Sequence, residues 1–237
     1  GFIGTNLILE LLKNKNISIT NIDKISICSN SYLNKVKKIK NRYHFKKLDL
    51  CNFISLKKFL INNKPDYIFH LAADTHVDNS LENPIKFFKN NLLGTINLLT
   101  ACNELLNKKK IKFIHAGTDE IYGDLPLKSK SYKNEKSKLI PNNPYSSSKA
   151  AGVLAVETWI RNFNFPAIIC NSVNNFGPYQ FVEKFIPRSI FNSINFSKLE
   201  VYGKGENIRS WIYVKDHVNA LIQLSKKGKI GETYSIS

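Results

Sequence analysis

The chain has 237 residues, of which 43% are hydrophobic, and its formal net charge is +17. A chain of this length can bury one full core, so we expect one large domain or a domain with a small appendage. The sequence has no run of about 18 to 20 uncharged apolar residues and no signal-peptide pattern. We therefore expect a soluble, unexported, cytoplasmic protein that contacts no membrane.

The positive charge is spread over the whole chain and comes without the aromatic or zinc-finger patterns of nucleic-acid binding. We therefore expect no nucleic-acid partner, although a basic cleft would attract a diphosphate. The cysteines Cys28, Cys51, Cys102 and Cys170 are widely scattered. Their spacing indicates reduced thiols rather than a disulfide framework or a zinc site, so no metal is expected.

Short apolar segments alternate with amphipathic segments, which is typical of a parallel sheet with helices on both faces. The predicted fold class is therefore α/β, a Rossmann-like doubly wound parallel sheet. In chain order, the predicted elements are a helix over 5–13, strands over 17–22 and 45–50, a helix over 56–62, a strand over 67–72, a helix over 84–106, a strand over 111–116, a helix over 145–162, a strand over 167–171 and a helix over 214–225.

After about residue 177 the alternation weakens into pieces bounded by Pro and Gly, including 185–194 and 199–202. We interpret residues 177–237 as a smaller C-terminal, substrate-binding lobe and residues 1–176 as the domain that holds the sheet. The polar segment 128–143 is expected to form a surface excursion, and loops of this length are often functional.

Gly1-Phe2-Ile3-Gly4 leads into the first predicted helix, and Asp23 follows the next predicted strand. Glycines at such a turn let backbone amides approach a pyrophosphate at the helix N-terminus, and an acid at the later position binds an adenine ribose 2′-hydroxyl. This spacing predicts NAD rather than NADP in domain 1–176, although the neighbouring Lys24 could accept a 2′-phosphate. Two glycines at this spacing also occur by chance, so the prediction depends on Asp23.

The chain contains no Met and opens directly on this glycine turn. In a dinucleotide-binding sheet the strand before the turn lies in the middle. We therefore expect a fragment whose first strand lies upstream of Gly1 and which is also incomplete at its C-terminus. Neighbouring strands would then keep unpaired backbone groups, so residues 1–237 alone are expected to fold poorly.

Tyr145 and Lys149 lie one turn apart on a predicted helix that Asn143 can cap and Pro144 can begin. A free tyrosine has a pKa of about 10, and a nearby cation stabilises the phenolate and lowers that pKa. The pair therefore suits removal of an alcohol proton while a hydride leaves. An ordinary amphipathic helix start stays open as an alternative, because this spacing is common.

Thr118-Asp119-Glu120 lies just after the strand predicted over 111–116, at the edge where open α/β sheets bind ligands. Adjacent acids are often only a solvated turn. Elimination of water across neighbouring carbons, however, needs one carboxylate to take a carbon-bound proton and a protonated group to donate to the leaving hydroxyl. Asp119 and Glu120 are therefore candidates for that chemistry.

Together these residues resemble the extended short-chain dehydrogenase/reductase family and, within it, the nucleotide-sugar 4,6-dehydratases. The resemblance covers nearly the whole chain and rests on the glycine turn, Asp23-Lys24 and the segments 70–73, 76–78, 118–124, 145–149, 174–178, 183–187, 202–205 and 208–209. Sugar epimerases of the family share most of these motifs but usually carry small hydroxyl residues in place of the acid pair. Asp119-Glu120 therefore favours a dehydratase.

The resemblance implies that Tyr145, with Lys149 and Thr118, deprotonates the sugar C4 hydroxyl while NAD takes the C4 hydride. Glu120 then removes the C5 proton, Asp119 protonates the leaving C6 hydroxyl, and the hydride returns to C6. The expected substrate is dTDP-glucose. The alternatives are a UDP- or GDP-sugar 4,6-dehydratase, an epimerase, and a non-catalytic remnant or binding protein. The resemblance also implies a homodimer formed through the helices that begin near Pro84 and Tyr145.

The resemblance further implies two sets of binding residues. The expected cofactor contacts are Gly1, Phe2, Ile3, Gly4, Asp23, Lys24, Ser26, Asp49, Leu50, Leu71, Ala72, Ala73, Thr75, Asn90, Tyr145, Lys149 and Asn175. The expected substrate contacts are Thr75, Thr118, Asn174, Lys184, Glu200, Val201, Tyr202 and Arg209. The departures from the family pattern are Ala116-Gly117, Asn79, Ser210 and Ser235, none of which removes a catalytic group.

Overall fold

The computed structural model describes residues 1–26, 41–106, 109–124, 132–199, 201, 205 and 208–237. Its helices are α1 (Phe2–Leu11), α2 (Phe53–Asn63), α3 (Val77–Glu82), α4 (Pro84–Phe87), α5 (Gly94–Leu106), α6 (Pro144–Phe163), α7 (Phe185–Ile194) and α8 (Val214–Lys227). Its strands are β1 (Ile19–Asp23), β2 (Tyr43–Lys47), β3 (Tyr67–His70), β4 (Lys112–Thr118), β5 (Ala167–Ser172), β6 (Asn174–Phe176), β7 (Trp211–Tyr213) and β8 (Thr233–Ile236). None of these helices is long and apolar enough to cross a membrane.

Parallel strands form the centre of the fold. Strands β3, β4, β5 and β8 pair in that order, with Phe113 opposite Ala167 and Ile169 opposite Thr233. Strand β1 pairs with β2, and the short strands β6 and β7 form a separate pair. Within the described chain, β1 and β3 do not pair with each other. In a doubly wound sheet, the strand that precedes the glycine turn lies between the strands that correspond to β1 and β3. That such a strand lies between β1 and β3 in this protein stays a prediction.

Side chains of β4 alternate between two hydrophobic clusters, because successive strand residues point to opposite faces. Phe113 lies in one cluster with Leu99 of α5 and Val153 of α6. Ile114 lies in the other cluster with Leu7 of α1 and Leu221 of α8. Burying each of these side chains contributes about 1.5–3 kcal/mol. Helices on both faces of a parallel sheet confirm the predicted α/β, Rossmann-like fold class.

The C-terminal part of the chain contributes both to the central sheet and to the region outside it. Strand β8 pairs with β5, and Val218 and Leu221 of α8 pack against the same sheet. Helix α7, in contrast, has no buried residue, and Ile190 and Phe191 are more than half exposed. The division into 1–176 and 177–237 therefore stays a prediction. Helix α8 and strand β8 belong to the range 177–237 by number but pack with the central sheet.

The helix predicted over 84–106 is found as α4, a π-helical segment (Phe88–Leu93) and α5. Asn83 caps α4 by accepting the Lys86 N–H at 3.2 Å, and the π-helical segment then widens the turn. Over six residues the apolar periods of α- and π-helices are too similar for the sequence to separate them. Helix α3 and strands β6 to β8 were outside the predicted set because they are short. The predicted piece 199–202 falls largely outside the described residues.

Candidate active site

The acid pair lies on a short turn at the carboxyl end of β4. Thr118 ends the strand, and Asp119–Tyr122 forms a 3-10 turn in which the Glu120 N–H donates to the Thr118 hydroxyl at 3.3 Å. This bond satisfies a backbone donor that the start of the turn would otherwise leave free. Gly123 ends the turn with a φ of 73°, in the left-handed region that favours glycine. Both acids are therefore held at the ligand-binding edge of the sheet.

The first turn of α6 carries Tyr145 and is held by hydrogen bonds on two sides. Asn143 Oδ1 accepts the Ser146 N–H at 2.8 Å, and the Asn143 N–H donates to Ser146 Oγ at 3.2 Å. Pro144 occupies the first helical position, where its missing N–H costs nothing. The Tyr145 N–H donates to Ser80 Oγ of α3 at 3.2 Å. The predicted Asn143 cap and Pro144 start are confirmed.

The phenol of Tyr145 is the point where the predicted catalytic residues meet. This side chain is buried, and Thr118, Glu120 and Asp119 are close enough to act on its hydroxyl electrostatically. Burial raises the pKa of Tyr145 above its ordinary value, the charges of Glu120 and Asp119 raise it further, and the Thr118 hydrogen bond opposes the rise. The structure thus brings an alcohol, a phenol and two carboxyl groups together.

Lys149 is also buried, but its ammonium faces the strand. Nζ donates to the Ala116 carbonyl at 2.6 Å, and burial lowers the pKa of Lys149 to about 8. The expectation that Lys149 lowers the pKa of Tyr145 is wrong for this geometry. Desolvation of the phenol and the charge of the acid pair outweigh a cation that is engaged with the backbone of β4.

Burial raises the pKa of both members of the acid pair. For Glu120 the charge of Asp119 adds to this rise, while Arg209, a hydrogen bond with Asn143 and the charge of Lys184 oppose it. For Asp119, hydrogen bonds and the charge of Arg209 oppose the rise. Adjacent carboxyl groups that resist joint ionisation can hold opposite protonation states, which is what an elimination requires.

Gly1 and Asp23, two of the predicted cofactor residues, lie side by side. One carboxylate oxygen of Asp23 is 3.5 Å from the Gly1 nitrogen, and the other accepts the Ile25 N–H at 2.7 Å. The Thr5 N–H bonds to the Gly1 carbonyl at 2.9 Å, so the N–H groups before Thr5 point out of the end of α1. An acid beside outward-pointing N–H donors fits the ribose and pyrophosphate of a dinucleotide.

A polar network beside the N-terminal end of α1 contains residues that no sequence pattern indicated. Asp74 lies 3.6 Å from Lys24 Nζ and accepts from Asn90 Nδ2 at 2.5 Å. The Asp74 N–H donates to Asn91 Oδ1 at 2.8 Å, and Asn91 Nδ2 donates to Ser148 Oγ at 2.9 Å. Lys24 is thus held by a carboxylate, which makes it less available to a 2′-phosphate. The polar pair Asn90-Asn91 within an apolar helix was the signal that could have revealed this network.

The loop after β2 lies next to the same network. Asp49 Oδ1 accepts the Cys51 N–H at 2.9 Å, and the Leu50 carbonyl accepts from Asn97 Nδ2 at 2.9 Å. Cys51 Sγ lies 3.8 Å from Asn90 Oδ1. The predicted cofactor residues Asp49, Leu50 and Asn90 are therefore grouped in one region.

Asn174 and Asn175 lie on β6, directly after β5. The Asn175 amide donates to Ser172 Oγ at 3.2 Å and to the Val173 carbonyl at 2.9 Å, and its Oδ1 is 2.8 Å from His217 Nδ1. These contacts engage both ends of the amide inside the protein. The roles of Asn175 as a cofactor contact and of Asn174 as a substrate contact stay predictions.

The predicted substrate residues include cations near the acid pair. Lys184 Nζ donates to the carbonyl of Thr75, another predicted contact, at 3.0 Å. Arg209 pairs with Asp124 at 3.2 Å, and its charge acts on both acids. Val201 is exposed, while Glu200 and Tyr202 lie outside the described residues. This distribution of cations suits an anionic group bound beside the carboxyl pair.

Comparisons with known proteins agree with this geometry. The family model described as GDP-mannose 4,6 dehydratase matches residues 1–237. A dTDP-glucose 4,6-dehydratase of Shigella flexneri is 39% identical, with 100% of this chain and 69% of that protein aligned. A crystal structure of a dTDP-glucose 4,6-dehydratase from Streptomyces venezuelae with NAD bound has a TM-score of 0.91 at 31% identity, covering 100% of this chain and 72% of the other. A UDP-glucuronic acid 4-epimerase from Bacillus cereus, in complex with UDP-glucuronic acid and NAD, has a TM-score of 0.89 at 28% identity, covering 100% and 74%.

The chain belongs to this family of nucleotide-sugar dehydratases. The match over its full length confirms the resemblance that the motifs suggested. The solved relatives share the α/β fold, and the identity to the dehydratase is higher than that to the epimerase.

Gly117 and Asn171 pack closely against each other. A Cβ added to Gly117 would lie 1.9 Å from Asn171 Oδ1. The same amide donates through Nδ2 to the Tyr122 hydroxyl at 2.8 Å, on the turn that carries the acid pair. Among the described residues, Asn171 Oδ1 has no hydrogen-bond partner. Gly117 departs from the family pattern, and the Asn171 side chain fills the space that a side chain at position 117 would need.

We expect Gly117→Ala to lower the free energy of unfolding by about 1–3 kcal/mol, because the added methyl group overpacks a buried amide. Asn171→Ala removes the obstacle and also the bond to Tyr122, at a cost of about 1–2 kcal/mol. In chemical denaturation the double variant should be more stable than the sum of the single effects by about 1 kcal/mol or more. Gly152→Ala is the control, since its nearest neighbour is 3.5 Å from the added Cβ. Additive effects at Gly117 and Asn171 would contradict this packing.

Proposed function

We propose that the chain acts in a dTDP-glucose 4,6-dehydratase, which converts dTDP-glucose to dTDP-4-keto-6-deoxyglucose and water. The observation that carries the proposal is the position of Asp119 and Glu120 beside the buried phenol of Tyr145. A tyrosine and lysine alone support oxidation of an alcohol, whereas the acid pair adds the groups that eliminate water. The names of the relatives from Shigella flexneri and Streptomyces venezuelae support the same activity.

The cofactor we propose is NAD, bound at the glycine turn. The Asp23 carboxylate would accept from the adenine ribose hydroxyls, and the N-terminal N–H groups of α1 would donate to the pyrophosphate. When bound, NAD supplies the hydride acceptor for C4 of the sugar and the hydride donor for C6. The NAD in the Streptomyces venezuelae relative supports this assignment.

In the first half of the reaction, Tyr145 removes the proton of the C4 hydroxyl. Thr118 lies beside the phenol and would orient it, and Lys149 lies one turn further along α6, where its ammonium donates to the Ala116 carbonyl. Because burial raises the pKa of Tyr145, positive charge must arrive with the bound ligands before the phenol can work as a base. Oxidation of C4 then gives a ketone.

In the second half, Glu120 removes the C5 proton, which the neighbouring ketone has made acidic. Asp119 donates a proton to the C6 hydroxyl, and water leaves. With bound NAD the hydride would return to C6, Glu120 would return its proton to C5, and the proton taken by Tyr145 would replace the one that Asp119 gave to water. The raised pKa values of both acids suit these roles, because one must hold a proton while the other is a carboxylate. Lys184 and Arg209 would bind the diphosphate through charge-assisted hydrogen bonds.

The free thiols of Cys51, Cys102 and Cys170 fit the cytoplasmic location that we propose for this enzyme. Its product would enter deoxysugar biosynthesis. The non-catalytic alternative gives no role to the two carboxyl groups held beside the buried phenol of Tyr145, where burial and their charges raise the pKa of the phenol.

We expect Asp119→Asn combined with Glu120→Gln to slow water elimination by about 100-fold or more, because both the acid and the base are lost. Substrate should still reduce part of the bound NAD, since that step depends on Tyr145. NADH absorbance measures the first half and release of the 4-keto product measures the second. Tyr145→Phe is the control and should lose both halves. Full product formation by the double variant would overturn the assignment.

The nucleotide can be tested with dTDP-, UDP- and GDP-sugars supplied separately. We expect kcat/KM for dTDP-glucose to exceed that for the other sugars by about 10-fold or more, as one well-recognised base contact contributes about 1.4 kcal/mol. The appearance of the 4-keto product reports the reaction. If kcat/KM is higher with a UDP- or GDP-sugar, that sugar and not dTDP-glucose is the substrate. Interconversion of sugars without loss of water would favour an epimerase.

We propose that the partner of this chain is a second copy, bound through an apolar groove on α4, the π-helical segment and α5. The groove is lined by Pro84, Ile85, Phe88, Lys89, Leu92, Leu93 and Ile96. Ile85 is 79% exposed, and Leu154 of α6 is about half exposed. Contiguous exposed apolar surface of this kind marks interaction sites in soluble proteins.

Ile85→Glu is expected to weaken the homodimer by about 10-fold or more, because it places a charge in an apolar interface. Ile54→Glu on α2 is the matched control, since Ile54 is 80% exposed and lies outside the groove. Sedimentation velocity over a range of concentrations measures the association. A monomeric wild type, or equal weakening by both substitutions, would contradict the proposed interface.

A further inference from the structure

Asn6 joins two segments that lie 172 positions apart in the chain. Its side-chain amide donates to the Phe2 carbonyl in the first turn of α1 at 3.1 Å and to the Pro178 carbonyl at 2.9 Å. We propose that Asn6 is a positioning residue that holds the segment 177–184 against the cofactor helix α1. The inference rests on the proposed function, in which the N-terminal end of α1 binds the NAD pyrophosphate and Lys184 binds the sugar diphosphate.

The burial of Asn6 and the two bonds of its amide fix where its donors point. The side chain is 7% exposed, and it uses one N–H group for each of the two carbonyls. Because the bond to Phe2 lies within α1, the planar amide directs its other N–H group away from the helix, toward Pro178. Pro178 itself is exposed, so without this donor its carbonyl would turn to water and the segment would lose this attachment to α1.

The segment 177–184 consists of two successive turns that end at Lys184. The Gln180 N–H donates to the Gly177 carbonyl at 3.3 Å, and the Lys184 N–H donates to the Phe181 carbonyl at 3.1 Å. Gly177 has a φ of 140°, and a Cβ added there would lie 2.7 Å from Val214 Cγ1 of α8. A displacement at the first of these turns is therefore passed along the backbone to Lys184.

Two further hydrogen bonds attach the same segment to other parts of the site. Gln180 Nε2 donates to the Asn175 carbonyl of β6 at 2.9 Å, and Lys184 Nζ donates to the Thr75 carbonyl at 3.0 Å. These bonds connect the segment with predicted cofactor and substrate residues. Asn6 adds the connection to the helix whose first turn is proposed to hold the dinucleotide.

The distance between these two binding elements matters for the proposed reaction. Transfer of the C4 hydride needs the sugar and the nicotinamide about 3–3.5 Å apart, and a misplacement of about 1 Å can slow a reaction by about 100-fold. Asn6 hydrogen-bonds to both elements with one rigid amide. Its loss should therefore impair binding and oxidation of the sugar nucleotide, whereas NAD keeps the backbone N–H groups of α1 as its donors.

The test uses Asn6→Leu and Asn6→Ser in the NAD-loaded enzyme with dTDP-glucose. Leu is close to Asn in size and is a good helix former but has no donor, and Ser is too short to span both carbonyls. We expect KM for dTDP-glucose to rise by about 10-fold and single-turnover NADH formation to slow by about 10-fold. The Kd for NAD, measured by calorimetry, should change by less than about two-fold.

A double variant shows whether Asn6 acts through the segment that carries Lys184. If it does, Asn6→Leu should raise KM by less than about three-fold when Lys184→Ala is already present, because the two changes disturb one contact. Two residues that act independently would instead multiply their effects on KM.

Lys112→Met is the matched control. Lys112 Nζ donates to the Gly228 carbonyl at 3.1 Å, so it also joins two distant segments, but it begins β4 whereas the acid pair follows the end of that strand. Lys112→Met should lower stability and leave KM, NADH formation and the Kd for NAD unchanged.

Three results would overturn the positioning role of Asn6. The first is an unchanged KM in both Asn6 variants. The second is an equal loss of NAD and dTDP-glucose affinity, which describes a displaced α1. The third is a full 10-fold effect of Asn6→Leu in the presence of Lys184→Ala. Failure of the wild type to bind dTDP-glucose would instead overturn the proposed function, and the inference with it.

Discussion

The position of β4 between β3 and β5 is the constraint on which the rest of the site depends. Its pairing on both sides, with His115 opposite His70 and Thr118 opposite Ser172, fixes the end of the strand. That end supplies the Ala116 carbonyl to which Lys149 donates and the Thr118 hydroxyl that holds the Glu120 N–H. Because strand side chains alternate, a slip of one residue would turn this whole set to the opposite face. The apolar core that secures the register therefore also secures the positions of these groups.

A second group of buried contacts ties α6 to the cofactor side of the sheet. His70 Nε2 lies 2.8 Å from Thr95 Oγ1, which donates to the Asn91 carbonyl at 2.5 Å, and Asn91 Nδ2 donates to Ser148 at 2.9 Å. Buried polar groups are costly unless they are hydrogen-bonded, so this chain of bonds specifies one arrangement of the helices. Asn90 and Asn91 are successive residues of the π-helical segment, and both hydrogen-bond with Asp74.

The sequence was informative where one local rule decides the structure. The alternation of segments predicted the parallel sheet, and Asn143-Pro144 predicted the start of α6, because caps and proline act within a few residues. The choice of which helices pack on which face of the sheet, and the pairing of β8 with β5, depend on contacts between distant segments. No local pattern encodes such contacts. The direction of the Lys149 ammonium was missed for the same reason, since helical spacing places it near Tyr145 but the Ala116 carbonyl decides where it points.

Desolvation acts on Tyr145 and Lys149 so that both neutral forms are favoured, since it raises the pKa of the phenol and lowers that of the ammonium. Burial therefore disfavours the phenolate, which is the form of Tyr145 that can act as a base. After burial, the charge of Glu120 is the largest contribution that raises the pKa of Tyr145. A proton on the acid pair, or a positively charged nicotinamide ring beside the phenol, would therefore make Tyr145 a stronger acid. In the proposed reaction the acid pair would therefore affect oxidation as well as elimination, because its charge state influences how readily the phenol releases its proton.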